Sequence, residues 1–199
     1  MNYNNLNQVK SSLRTALKQL RADLPADTRQ AYSECIVQRL LGLDEIQQAN
    51  SIFGFISYSN EVHTHDLLKY FLNKNKRLAT PKILPDKIMI AVELSSWDTL
   101  EAGEMGILTP PGETPFPDKF DVIITPGLGF TRSGCRIGYG RGYYDKWFAS
   151  HPEGLRIAIC FECQLRNEIP TDSNDLPVHL VVTENAVYKT EKNEKILID

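Results

Sequence analysis

The chain has 199 residues and no long hydrophobic run. Its most apolar stretches, Ser51 to Ile56 and Val122 to Ile124, are far too short to cross a bilayer, so no membrane partner is expected. The opening residues, Met1-Asn2-Tyr3-Asn4-Asn5, lack the basic segment and apolar run of a secretion signal, which points to the cytoplasm. Cysteine is scarce. Cys35, Cys135, Cys160 and Cys163 form no obvious disulfide framework, in keeping with a reducing compartment. Positive charge is not in excess either. Lys and Arg total 22 against 25 Asp and Glu, for a net charge of −3, which counts against a nucleic-acid partner. Internal repeats and low-complexity segments are missing as well.

Hydrophobic residues make up 42% of the chain, enough for a sizeable core in one domain spanning 1–199. Leu6, Val9, Leu13, Leu17, Leu20 and Leu24 recur at steps of three and four and predict an amphipathic helix ending at Pro25. Asp27 is the expected N-cap of a second helix carrying Tyr32, Cys35, Ile36 and Leu40. Ser51 to Ser57 and Asp121 to Thr125 read as strands buried on both faces. Thr64 is placed to cap a helix bearing Leu67, Leu68, Phe71 and Leu72. Arg77 to Thr80 predicts a strand stopped by Pro81, and the alternation of Ile88, Ile90, Val92 and Leu94 predicts another. A long connection from Glu101 to Pro117 carries one short strand at Ile107-Leu108. A helix starts at Tyr143, and strands follow at Ile157 to Phe161 and Leu180 to Thr183. Strands alternating with helices predict an α/β fold with a largely parallel central sheet flanked by helices. The charged tail from Lys189 to Asp199 is expected to be loosely ordered.

Ligands of open α/β sheets bind beyond the carboxyl ends of the strands. Past Thr125 the chain runs from Pro126 to Asp145 with six glycines and the arginines Arg132, Arg136 and Arg141. Glycine lets backbone amides approach a ligand, and arginine offers forked donors to phosphate oxygens. A helix starting near Gly142 adds free amides of its own. Gly129 to Gly134 has the spacing of a Walker A loop, but Cys135 and Arg136 stand where Lys and Ser or Thr are required. Gly138, Gly140 and Gly142 miss the dinucleotide fingerprint because Tyr143 takes the third glycine's place.

Three other features have two readings each. Lys10, Arg14, Lys18 and Arg21 form a basic stripe on the first helix, which periodicity alone assigns to a solvated face, while Lys10 and Arg14 are also placed to fold over phosphates. Glu61, His63, His65 and Asp66 invite a metal hypothesis but have no matching cluster elsewhere in the sequence. Cys160-Phe-Glu-Cys163 is a single Cys-x-x-Cys at a strand end, better read as core cysteines than as a redox motif.

Gly138-Tyr-Gly-Arg-Gly-Tyr-Tyr-Asp145, preceded by Pro126-Gly-Leu-Gly-Phe and Arg136, resembles the 5-formyltetrahydrofolate cyclo-ligase (5,10-methenyltetrahydrofolate synthetase) family. Lys10 with Arg14, Glu61-Val-His-Thr, Pro81-Lys82, Gly106-Ile-Leu-x-Pro110, Pro170 with Asp175, and Val182-Thr-Glu184 extend the likeness over nearly the whole chain. The resemblance implies the sheet architecture shared with sugar-phosphate isomerases and CoA transferases. It also implies conversion of 5-formyltetrahydrofolate, of whatever polyglutamate length, to 5,10-methenyltetrahydrofolate with ATP and Mg²⁺. It maps ATP onto Lys10, Arg14, Arg136, Ile137, Gly138, Tyr139, Gly140, Arg141, Gly142, Tyr143 and Tyr144. Folate falls on Ile56, Glu61, Trp97, Tyr139 and Tyr143, and Mg²⁺ on Asp145 and Asp175. Arg141, Arg136 and Tyr143 carry the catalytic expectation, with Arg141 stabilising the transferred phosphoryl group. Arg141 and Tyr139 depart from what many relatives carry at their positions. An isomerase-like enzyme that consumes no ATP and a non-catalytic folate or nucleotide binder stand as alternatives, and the monomer is the expected state.

Overall fold

The computed structural model describes residues 3–103, 106–117 and 119–190. Helix α1 (Tyr3–Ala22) leads through Pro25 into α2 (Ala26–Leu41) and the short α3 (Asp44–Gln48). Strand β1 (Ser51–Phe53), α4 (His65–Asn73), β2 (Arg77–Ile83) and β3 (Met89–Glu93) follow. A 3-10 turn at Trp97–Thr99 precedes the hairpin of β4 (Glu101–Ala102) and β5 (Leu108–Thr109). Then come β6 (Val122–Thr125), β7 (Gly129–Thr131), β8 (Arg136–Ile137), α5 (Tyr143–Ser150) and β9 (Leu155–Ile159). The described chain closes with β10 (Leu165–Arg166), β11 (Leu180–Val182) and β12 (Val187–Lys189).

Seven strands form the central sheet in the order β12-β11-β9-β6-β1-β2-β3. The middle strands pair in parallel, while β12 and β3 run antiparallel at the two edges. Alternation within each strand divides the core. Ile52, Val122, Ile124, Ile157, Ile159, Leu180 and Val182 face α2 and α4, meeting Ile36, Leu40, Leu68 and Phe71. Phe53, Ile123 and Ala79 face the other way onto Trp147 and Phe148 of α5. Ala158 and Val181 meet Phe130 of a small sheet ordered β10-β7-β8. Coverage on both faces is why these strands read as unbroken apolar runs. The result is a single-domain α/β fold with a largely parallel sheet, and no described helix is long and apolar enough to cross a membrane.

Several local expectations shift. Pro25 occupies the N-cap of α2, and Asp27 sits inside its first turn, where its charge still complements the helix dipole. Thr64 precedes α4 without capping it, because its hydroxyl accepts the Ser57 amide at 2.8 Å and donates to the Phe55 carbonyl at 2.8 Å. Only Ser51–Phe53 of the first apolar run is strand, although Gly54, Phe55 and Ile56 stay buried. Strand β2 passes straight through Pro81. Pro81 pairs with Ala91, whose carbonyl accepts from Phe116 instead, and β1 has already ended at Phe53 opposite Ala79. The missing N–H of Pro81 therefore leaves no ladder bond unmade. Lys189 belongs to β12 and Thr190 is buried, so the expected loose tail narrows to 191–199, outside the described residues.

Helix α1 docks differently from its periodicity. Leu17 is fully buried against Leu128, Ile137 and Ile169, but Val9 and Leu20 are exposed. The residues turned inward with Leu17 are Lys10 and Arg21, each only 5% exposed. The basic stripe is thus packed at Lys10 and Arg21, half-buried at Arg14 and solvated at Lys18.

Candidate active site

Sequence order reverses direction across the sheet between β1 and β6. From β1 the chain steps outward to β2 and β3, and from β6 it steps the other way to β9 and β11. The loops leaving adjacent strands at such a switch part from each other and leave a crevice. Here a cleft of about 1500 Å³ opens beyond the carboxyl ends of β1 and β6, with Phe55, Ile56 and Tyr58 on one side and Pro126 on the other. One small ligand usually occupies about 300–1000 Å³, so this cleft has room for two.

The segment after Pro126 is more structured than a glycine-rich loop. β7 and β8 form a hairpin in which Thr131 N–H donates to the Cys135 carbonyl at 2.9 Å. Gln164 clamps its start, donating to the carbonyls of Gly127 and Leu128 at 3.1 and 2.9 Å. What remains as loop is Gly138 to Gly142, and it is gripped from both sides. A Cβ on Gly138 would meet Arg136 Nη1 at 2.9 Å. Gly140 has φ +100° and lies under the Arg14 guanidinium, whose Cζ is 3.3 Å from a hypothetical Cβ. Arg14 Nε also donates to the Gly138 carbonyl at 3.0 Å. Side chains at these two positions would push the arginines away, so glycine is required by close approach at one and by conformation at the other.

Arg136 lies beneath the loop, 7% exposed, with Nη2 donating to Asp145 Oδ1 at 2.6 Å. Its guanidinium rests between the rings of Tyr144 and Phe148, 5.7 and 5.8 Å from their centroids. Arg136 Nε and the Tyr144 hydroxyl are buried without a hydrogen-bond partner among the described residues. An unpaired buried donor costs about 1–3 kcal/mol, and these two residues line the cleft, where a polar ligand would meet them. Burial also pushes the Tyr144 phenol up, with the Glu61 charge adding to it, so it remains a hydroxyl. Arg141 is exposed on the rim and forms no ion pair among the described residues.

Lys10 reaches across the cleft to the Pro170–Asp175 segment and bonds Asp172 at 2.7 Å and Asp175 at 2.5 Å. Burial alone would lower its ammonium, but the two carboxylates outweigh that and hold it above the usual lysine range. The hydrogen bond from Lys10 and a second from the Asn174 amide keep the Asp172 carboxyl low.

The expected ATP residues from α1 and the loop, together with Ile56, Glu61, Asp145 and Asp175, therefore line one cleft. Trp97 does not join them. It opens the 3-10 turn and packs half-buried against the main core, with its ring 5.1 Å from that of His65 and Lys69 Nζ 5.0 Å away. Phe55, Tyr58, Tyr139 and Tyr143 supply the aromatic wall instead. His63 and His65 border an adjoining groove and are spent on Gln30 and on the Ser57 carbonyl. Among the described residues no three His, Cys, Asp or Glu side chains converge on a metal position. Cys160 is buried, which pushes its thiol well up, and both it and Cys163 are unpaired.

Arg21, Asn60 and Asp172 were not expected in the wall. Arg21 lies eleven residues beyond Lys10 and seven beyond Arg14, a spacing that keeps all three on one helix face. Asn60 and Asp172 carry no comparable signal, since they come from turns.

The family model for 5-formyltetrahydrofolate cyclo-ligases matches residues 6–184. A mouse protein named 5-formyltetrahydrofolate cyclo-ligase is 27% identical over 198 residues, covering 91% of this chain and 96% of its own length. One of the same name from Mycolicibacterium smegmatis is 31% identical over 185 residues, with 87% and 93% covered. The NMR structure of Aquifex aeolicus 5,10-methenyltetrahydrofolate synthetase shares the fold at TM-score 0.82 and 29% identity, covering 92% of this chain and 93% of that one. With sequence and fold matched over almost its full length, the chain belongs to the 5-formyltetrahydrofolate cyclo-ligase family.

Proposed function

We propose that the protein converts 5-formyltetrahydrofolate to 5,10-methenyltetrahydrofolate while ATP becomes ADP and phosphate. The observation that carries this reading is the Gly138–Gly142 loop, clasped between Arg14 and Arg136 in a cleft large enough for two substrates. The formyl oxygen attacks the γ-phosphorus, and the bond to ADP breaks. N10 then attacks the activated carbon and loses its proton, and the C–O bond breaks to release phosphate. An amide oxygen is a poor leaving group, and the phosphoryl group makes it a good one.

Phosphoryl transfer asks a protein mainly to position the reactants and neutralise charge. In this reading Lys10, Arg14 and the 136–144 segment hold the nucleotide, with Arg136 fixed from below and Arg141 free to reach the transferred group. Ile56, Glu61, Tyr139 and Tyr143 receive the folate. A pterin stacks on the tyrosine wall of the cleft, because Trp97 packs on His65 and does not line it.

The carboxylates fit Mg²⁺. Asp145 and Asp175 offer hard oxygen ligands, and this cation commonly takes one or two carboxylates together with substrate phosphates. When bound it neutralises charge on the β- and γ-phosphates. The cleft is complete within one chain, which supports a monomer spanning 1–199 as one functional domain. Unpaired cysteines and a net charge of −3 support a cytoplasmic enzyme without a nucleic-acid partner.

The test is turnover of purified protein with 5-formyltetrahydrofolate, Mg²⁺ and ATP, followed by the near-ultraviolet absorbance of the methenyl product. The expected result is a rise that requires ATP and releases ADP in step. Folded protein that binds ATP yet forms no product would refute the reading and leave a binding role.

A further inference from the structure

Arg21 sits in the last turn of α1 and is buried, yet its nearest carboxylate oxygen, Glu61 Oε1, is 4.0 Å from Nη1. Its hydrogen bonds go elsewhere. Nε donates to Asn60 Oδ1 at 2.8 Å, and Nη1 donates to the Tyr139 hydroxyl at 2.9 Å. That hydroxyl in turn donates to Glu61 Oε1. The other oxygen of Glu61 accepts the Tyr58 amide at 2.9 Å. Two groups thus fix the Glu61 side chain, which is only 12% exposed, in the cleft wall.

The direction of this chain of bonds is set by Arg21. A guanidinium only donates, so the Tyr139 oxygen accepts from it and must pass its own proton to Glu61. Burial and the Glu61 charge push the Tyr139 phenol up, which keeps that proton in place. Tyr139 as a whole is 44% exposed and lines the cleft. Each carboxylate oxygen of Glu61 uses one lone pair inside the protein and keeps another for a ligand.

We propose that Arg21 is a positioning residue for the folate substrate, holding Glu61 through Asn60 and Tyr139 so that its carboxylate reads a pair of neutral N–H donors on the pterin. The inference rests on the folate reading above. The nearby guanidinium charge balances the carboxylate. A balanced carboxylate favours neutral paired donors over a cation, which makes Arg21 a determinant of specificity as well as of orientation.

Steady-state kinetics in both substrates, with calorimetric binding of 5-formyltetrahydrofolate in the absence of ATP, tests this in Arg21→Met, Arg21→Lys and Tyr139→Phe. Arg21→Met is expected to raise the KM and Kd for folate about tenfold to a hundredfold, the loss typical of a charged hydrogen-bond partner. The KM for ATP should stay within about twofold, and Arg21→Lys should recover part of the folate affinity by restoring the charge. Tyr139→Phe removes only the hydroxyl and should shift folate affinity in the same direction by a smaller factor. Unchanged folate affinity in Arg21→Met would overturn the proposal. So would a parallel loss for both substrates with a lowered melting temperature, since Arg21 would then only brace the fold. Should Arg21→Met not fold, unchanged folate affinity in Tyr139→Phe would overturn it alone. Wild-type protein that neither binds nor converts folate would defeat the underlying reading separately.

Discussion

Arg136 and Arg141 sit five positions apart in sequence but in opposite surroundings. Arg136 is enclosed by Asp145, Tyr144 and Phe148, so its charge is committed to holding the loop. Arg141 stands on the cleft rim with no ion pair among the described residues. Apart from its Nε the Arg136 guanidinium is already bonded, whereas the whole guanidinium of Arg141 is open to gain an interaction in the proposed phosphoryl transfer, and such gains accelerate the chemical step. Arg141→Ala is therefore expected to lower kcat by about a hundredfold to a thousandfold. Its melting temperature should match the wild type, because no contact is lost. Near-normal kcat in a calorimetrically intact variant would remove Arg141 from the mechanism.

Helix α1 is held by one apolar anchor and several polar ties. Leu17 is the only one of its periodic leucines and valine that is fully buried, and it packs where Leu128, Ile137 and Ile169 meet beneath the loop. Leu17→Ala should cost about 2–5 kcal/mol of stability by leaving a cavity, as read from urea melts. It should also weaken ATP binding, because Lys10 and Arg14 ride on the same helix. A variant that loses stability but binds ATP normally would show that the polar ties alone seat the helix. This element also marks how far the sequence could be read. Its helical period was legible in Leu6 to Leu24, but period alone cannot tell which face is buried when the partner surface is polar. Lys10 and Arg21 go inward because Asp172, Asp175 and Asn60 wait there, and those partners come from distant turns. The parallel strands and the Gly138–Asp145 segment were legible for the opposite reason. Apolar runs and close-packed glycines record local constraints that no distant residue need reveal. The β7–β8 hairpin left no alternation to read because its strands are only three and two residues long and the first opens on Gly129.

For the molecule as a whole, the central sheet carries a built-in acid sensitivity. His179 precedes β11 and accepts the Arg156 amide on Nδ1 at 2.9 Å, while its own amide donates to the Arg156 carbonyl at 2.8 Å. Burial, with the Arg156 charge second, drives its ring down to about 4 from the usual 6.5. The unfolded chain therefore binds more protons than the folded one between those values. Stability is full above about pH 6.5 and declines as pH falls toward 4. The slope should stay below about 1 kcal/mol per pH unit after allowing for the ring's partial exposure. Urea midpoints at several pH values would show the decline, and His179→Gln should flatten it. An equal slope in that variant would place the sensitivity elsewhere.

The tie between Lys10 and Asp175 spans 165 residues, nearly the length of the fold. On the ribosome, at about 5–20 residues per second, the helix bearing Lys10 is made roughly ten to thirty seconds before its acidic partners exist. During that interval its buried lysine and arginines have nothing to face but water. The first element synthesised is thus among the last to find its place, and the cleft closes only after translation has passed Asp175. A chain cut short before Asp172 would hold the loop and its arginines but leave Lys10 without either carboxylate.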